Sequence, residues 1–156
     1  MLDPGGTAPD FTAKDHEGND FRLSGLRGTW VVLYFYPKDE TVGCTAEACT
    51  FRDNLEAIQG LGAAVVGVSV QDVESHRQFA AHHRLNFRLV ADPDKHVTRS
   101  YGALGILGVA KRVTYLIDPQ GNIRDAYRSE INPTSHVEHA RQRLRELGAL
   151  AGAGPA

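Results

Sequence analysis

The chain has 156 residues, 42% of them hydrophobic, and its 17 basic and 19 acidic side chains leave a formal charge of −2. That length and apolar content suit one domain built around one substantial core. No lysine or arginine run offers the electrostatic footprint of a nucleic-acid protein, and no apolar stretch approaches the ~20 residues that cross a bilayer, so neither partner is expected.

Residues 11–24 hold a turn signal at His16-Glu17-Gly18-Asn19 and predict a small β-hairpin ahead of the core. Residues 31–36, 64–70 and 113–117 are continuous apolar, β-branched or aromatic runs, the pattern of strands buried on both faces. Between the first two, Ala48, Phe51, Leu55 and Ile58 recur at steps of three and four, which predicts an amphipathic helix ending near Gly60. Asp72 reads as the N-cap of a second helix running to about Arg84, and a shorter helix is expected over residues 95–101. Asp118-Pro119-Gln120-Gly121-Asn122 is a turn between two strand-like segments. Ser135-His136-Val137-Glu138 fits a capping box, and Val137, Ala140, Leu144 and Leu147 repeat at helical spacing before Gly148.

Strand, helix, strand, helix, antiparallel hairpin and closing helix is the succession of an α/β domain with a thioredoxin-like fold, here extended by the N-terminal β-hairpin. One domain over residues 1–148 is expected, followed by a disordered tail over residues 149–156, which are alanine, glycine, proline and one leucine. The first thirty residues lack a basic start followed by an apolar run, so the protein is expected to be cytoplasmic. Two cysteines in such a chain point to redox or metal chemistry more than to a stabilising disulfide framework.

The informative segment is residues 34–53, where a buried strand ends, a loop turns and a helix begins. Cys44 falls in the first helical turn, where unpaired N–H groups and the positive end of the macrodipole favour a thiolate. It shares a face with Ala48, Phe51, Leu55 and Ile58, which directs its sulfur into a pocket in the body of the domain.

This segment resembles the peroxiredoxin family, and within it the bacterioferritin comigratory protein or peroxiredoxin Q branch. The family signature is proline, three residues, threonine or serine, two residues, cysteine, met here by Pro37, Thr41 and Cys44 inside the branch pattern YFYPKD…GCT.E.C.FRD. The likeness continues through Ala8-Pro9-Asp10-Phe11, Asp92-Pro93-Asp94, Tyr101-Gly102 and residues 112–118, and covers roughly residues 5–147. Val42 departs from it, standing where the branch usually has proline.

The resemblance implies a peroxidatic Cys44 and a resolving Cys49. It gives Thr41 a hydrogen bond to the thiolate and peroxide, Pro37 the shielding of the sulfur, and Arg112 the completion of the site. Backbone N–H groups near Gly43 and Cys44 are further donors for the substrate, and Glu47 is read as orienting Arg112. In an intact helix the Cα atoms of residues 44 and 49 stand roughly 8–9 Å apart, beyond the ~4.4–6.8 Å of bridgeable cysteines. A Cys44–Cys49 disulfide therefore requires the first turns to unwind.

The expected activity is reduction of hydrogen peroxide and organic hydroperoxides without any cofactor, with thioredoxin or a similar dithiol protein as reductant. The chain is expected to be a monomer or weak dimer. A thioredoxin-like disulfide reductase fits less well, because its cysteines are normally separated by two residues. A peroxide sensor or chaperone-like protein that relays its disulfide to a client is the rival of a different class.

No metal is expected. Of seven histidines only His136 and His139 share helical spacing, and they read as solvent-facing. Gly102, Gly105 and Gly108 lack the Gly-Lys-Ser/Thr of a phosphate loop and read as a flexible loop beside the site, with Ile106 and Leu107 in ordinary packing.

Overall fold

The computed structural model describes residues 1–152, and side-chain surroundings over residues 1–148. Strands β1 (Thr12–Lys14) and β2 (Asp20–Arg22) pair antiparallel as the predicted N-terminal hairpin. The main sheet comprises β3 (Trp30–Phe35), β4 (Ala63–Ser69), β5 (Arg88–Ala91), β6 (Val113–Ile117) and β7 (Ile123–Arg128). Their order is β5-β4-β3-β6-β7, with β3, β4 and β5 mutually parallel, β6 antiparallel to β3, and β7 antiparallel to β6. The helices are α1 (Val42–Gly60), α2 (Val73–His82), α3 (His96–Ser100) and α4 (Ser135–Gly152).

All six residues of β3 are buried because the central strand is covered on both faces. Trp30, Val32 and Tyr34 pack with Phe51, Leu55 and Ile58 of α1, Phe79 of α2 and Leu144 of α4. The alternate residues Val31, Leu33 and Phe35 pack on the other face with Phe11, Val97, Tyr101 and Tyr115. A strand with two apolar environments has no polar face to alternate with, hence its continuous run. Burying each large side chain, such as Phe51, contributes about 1.5–3 kcal/mol.

Several local expectations need correction. β5 was not predicted, because only Leu89, Val90 and Ala91 mark it and periodicity needs a longer run. Asp72 caps α2 as expected, accepting from Ser75 N at 2.9 Å, but the helix ends at His82. Ser135 is the first residue of α4 instead of its cap: its hydroxyl donates back to the Asn132 carbonyl at 2.6 Å, so the capping box is not formed. α4 also continues past Gly148 to Gly152. Residues 153–156, the rest of that expected tail, lie outside the described residues.

Candidate active site

The loop between β3 and α1 is held from beneath. Tyr36 donates its hydroxyl to Asp39 Oδ1 at 2.6 Å, Ser75 Oγ donates to Asp39 Oδ2 at 2.7 Å, and His76 Nδ1 stands 2.6 Å from Oδ2. The opposite ring nitrogen of His76 lies 3.1 Å from the Val90 carbonyl. Burial works against the Asp39 carboxylate, but the hydrogen bond and charge of His76 outweigh it and hold the group below the usual range. This network fastens the loop to α2 and β5. Thr41, in extended conformation, then opens α1.

Cys44 lies in the first turn of α1, in the buried stripe with Ala48, Phe51, Leu55 and Ile58, and is a free thiol. Arg112, one residue before β6, reaches it across the sheet end. Its Nη2 donates to Cys44 Sγ at 3.3 Å and its Nη1 donates to Glu47 Oε1 at 2.7 Å. One guanidinium thus bridges the sulfur and a fully buried carboxyl on the same helix. Its backbone N–H donates to Glu130 Oε1 at 3.0 Å, which fixes the strand entrance. A Cβ added at Gly43 would stand 3.1 Å from Pro133 Cγ and 3.2 Å from Arg112 Nη2, so a side chain there would crowd the guanidinium.

The electrostatics favour charge on Arg112 over charge on Glu47. Burial pushes Glu47 up to about 8, although Arg112 opposes the shift. Burial also disfavours the guanidinium, but its contacts with Glu47 and Cys44 outweigh that and hold it above its ordinary value. Glu47 Oε2 has no hydrogen-bond partner among the described residues, and His136 Nδ1 is 3.8 Å from it. His136 Nε2 faces the Ser129 carbonyl at 2.9 Å and Nδ1 faces Thr114 Oγ1 at 2.8 Å. A carbonyl can only accept, so Nε2 carries the proton and Nδ1 accepts from Thr114, the neutral tautomer. Burial accordingly lowers His136 to about 4. Tyr34, whose ring occupies the space left by the missing side chain of Gly67, has a buried hydroxyl with no partner among the described residues. Burial above all keeps that hydroxyl protonated.

The structure therefore brings Cys44, Glu47, Arg112 and Gly43 together. Pro37 sits half-buried in the bend after β3, and Cys49 lies half-buried one turn further along α1, also as a free thiol. Thr41 is exposed and donates its one hydroxyl proton to the Lys38 carbonyl at 2.9 Å instead of to the sulfur. In this arrangement it can meet a ligand only as an acceptor. The expected pocket is corrected too, because Cys44 is 1% exposed. The clefts lined by Leu55 and Phe87, and by Val73 and Pro93, do not include it. His136, read as solvent-facing, is fully buried, as is His76. Ile106 and Leu107, expected to pack, are exposed. The burial of His76 was hidden because its carboxylate partner Asp39 lies 37 residues away in sequence, and that of His136 because Thr114 lies 22 residues away.

The profile of the AhpC/TSA family matches residues 4–126. The chain is 40% identical over 145 residues to a chloroplastic peroxiredoxin Q of Sedum lineare, spanning 92% of this chain and 78% of that protein. It is also similar to the crystal structure of peroxidoxin BcpB from Mycobacterium tuberculosis, with TM-score 0.88 and 35% identity over 94% of this chain and 99% of that one. The bacterioferritin comigratory protein of Xanthomonas campestris, whose structures concern alkyl peroxide reduction, superposes with TM-score 0.86 at 29% identity, covering 94% of this chain and 99% of that one.

Proposed function

Because the chain belongs to the AhpC/TSA family, in its peroxiredoxin Q branch, we propose that it is a thiol peroxidase in which Cys44 attacks hydroperoxides and Cys49 resolves the product. The observation that carries the assignment of Cys44 is the contact of Arg112 Nη2 with its Sγ at 3.3 Å, within the first turn of α1.

In this reading the Cys44 thiolate bonds to the terminal oxygen of the hydroperoxide. The O–O bond breaks, the sulfur becomes a sulfenic acid, and the departing alkoxide takes a proton and leaves as alcohol, or as water from hydrogen peroxide. Negative charge moves from sulfur to the leaving oxygen along the path where Arg112 and the N–H groups of the first turn stand as fixed donors. Thr41 Oγ1, its proton committed to Lys38, is free to accept the hydroperoxide O–H. Pro37 shields the sulfur from the loop side. With Cys44 only 1% exposed, substrate entry requires a local displacement around the first turn of α1.

The sulfenic acid then condenses with the Cys49 thiol, releasing water and forming a disulfide, which protects Cys44 from a second oxidation. Thioredoxin or a comparable dithiol protein returns both thiols by exchange. The expected cytoplasmic location belongs to this proposal and rests on sequence alone; the relative from Sedum lineare is chloroplastic.

Peroxide consumption coupled to thioredoxin tests the reading. Wild type should turn over, Cys44→Ser should be inactive, Cys49→Ser should stop after one oxidation, and Arg112→Ala should slow attack by about 10²–10³-fold. Undiminished turnover in Cys44→Ser would refute the assignment, and a stable mixed disulfide without turnover would favour a sensor.

A further inference from the structure

Behind the loop that precedes α1, three metal-ligating side chains converge where that loop passes the end of α2. His82 Nδ1 stands 3.0 Å from Glu40 Oε2, and His83 Nε2 stands 2.7 Å from Oε1. One ligand atom from each residue lies within 4.8 Å of the other two. Consecutive helical residues point about 100° apart, but His83 is the C-cap of α2, with φ −103° and ψ 9°, and its departure from the helix brings the two ring centroids to 4.2 Å. Glu40 adopts φ 62°, a left-handed conformation that glycine or asparagine reaches at less cost than glutamate.

We propose that Glu40, His82 and His83 bind one zinc-like divalent cation, which fastens the loop before α1 to the C-terminal end of α2. Two imidazole nitrogens and one carboxylate oxygen suit a borderline transition metal better than magnesium or calcium, which prefer all-oxygen shells. Ligand atoms held tetrahedrally at about 2.0–2.1 Å from a metal stand roughly 3.3 Å apart. Glu40 Oε1 alone stands 3.1 Å from His82 Nδ1 and 2.7 Å from His83 Nε2, with all three ligand atoms within 4.8 Å of one another, so side-chain rotation of about half an ångström brings them to that spacing. The partial exposure of all three side chains leaves a fourth position for water. The group formed by Asp92, Asp94 and His96 differs, because Asp92 already accepts from Val97 N, Thr98 N and Thr98 Oγ1 as a structural turn.

Cation binding stands apart from the peroxidase reading; the functional consequence, a slower opening of α1 and delayed disulfide closure, rests on it. The test is calorimetric zinc titration of the full chain carrying Cys44→Ser and Cys49→Ser, which removes thiols that also bind zinc. One zinc per chain is expected, with affinity lowered at least about tenfold by adding either His83→Ala or the conservative Glu40→Gln. Zinc should also slow amide exchange over residues 38–43 in the parent and not in the two variants. No uptake, or uptake unaffected by both changes, overturns the site; uptake without slowed exchange overturns the fastening. Because zinc uptake needs no turnover, failure of the site and failure of the peroxidase reading are separately visible.

Discussion

Glu47 meets Arg112 from within the same helix turn that carries Cys44, and its protonation decides how the guanidinium divides its charge. With the carboxyl raised to about 8 by burial, it is mostly neutral at pH 7 and still accepts from Nη1 through Oε1. Arg112 then faces the sulfur without a competing anion. As pH climbs through that value Glu47 ionises and draws the guanidinium's field toward itself. Glu47→Gln keeps an acceptor of similar shape but cannot ionise, so its rate of peroxide attack should match wild type near pH 7 and exceed it above about 8; parallel pH–rate profiles would contradict this. Cys44 and its proline and threonine neighbours were legible as a spaced motif, and an orienting role for Glu47 has the contact with Arg112 that it requires. The orientation of the Thr41 hydroxyl was not legible, since a bond to the thiolate and a backward bond to Lys38 use the same residue at the same position. Nor was the burial of His76, whose carboxylate partner lies 37 residues away.

At the scale of the element, α1 must satisfy two demands: a regular first turn to present Cys44, and local opening to let Cys49 reach it. The cysteines occupy one unbroken helix, Val42–Gly60, with Ala46 exposed between them. Glycine at an exposed helical position costs roughly 1 kcal/mol, which raises the opening equilibrium about fivefold. Ala46→Gly should therefore speed disulfide closure by about that factor where opening limits it, read by rapid mixing with peroxide; an unchanged closure rate would place the slow step elsewhere. The helical face of α1 was readable from its three-and-four spacing. β5 and the start of α4 were not, the first being too short for periodicity and the second turning on Asn132 and Ser135 backbone geometry that composition does not encode.

For the whole molecule, the succession of elements was enough to predict the fold class, while the sheet order and the two buried networks depend on tertiary contacts. His136 belongs to one of those networks, joining α4 to Thr114 of β6 and to the segment after β7. Its neutral form is the folded one, with the value lowered by burial from 6.5 to about 4. The stability it contributes is intact above pH 6.5 and is lost as pH falls toward about 4, because the unfolded chain binds the proton first. Between pH 7 and pH 5 wild type should lose about 2 kcal/mol more than His136→Gln, measured by denaturant unfolding at each pH; equal losses would show that this imidazole does not set the acid limb. The measurement that bears most directly on the account is non-reducing peptide mapping by mass spectrometry after one equivalent of peroxide. It should find Cys44 joined to Cys49 within one chain, and in Cys49→Ser one added oxygen on Cys44. Oxidation of Cys49 with Cys44 left as a free thiol would contradict it.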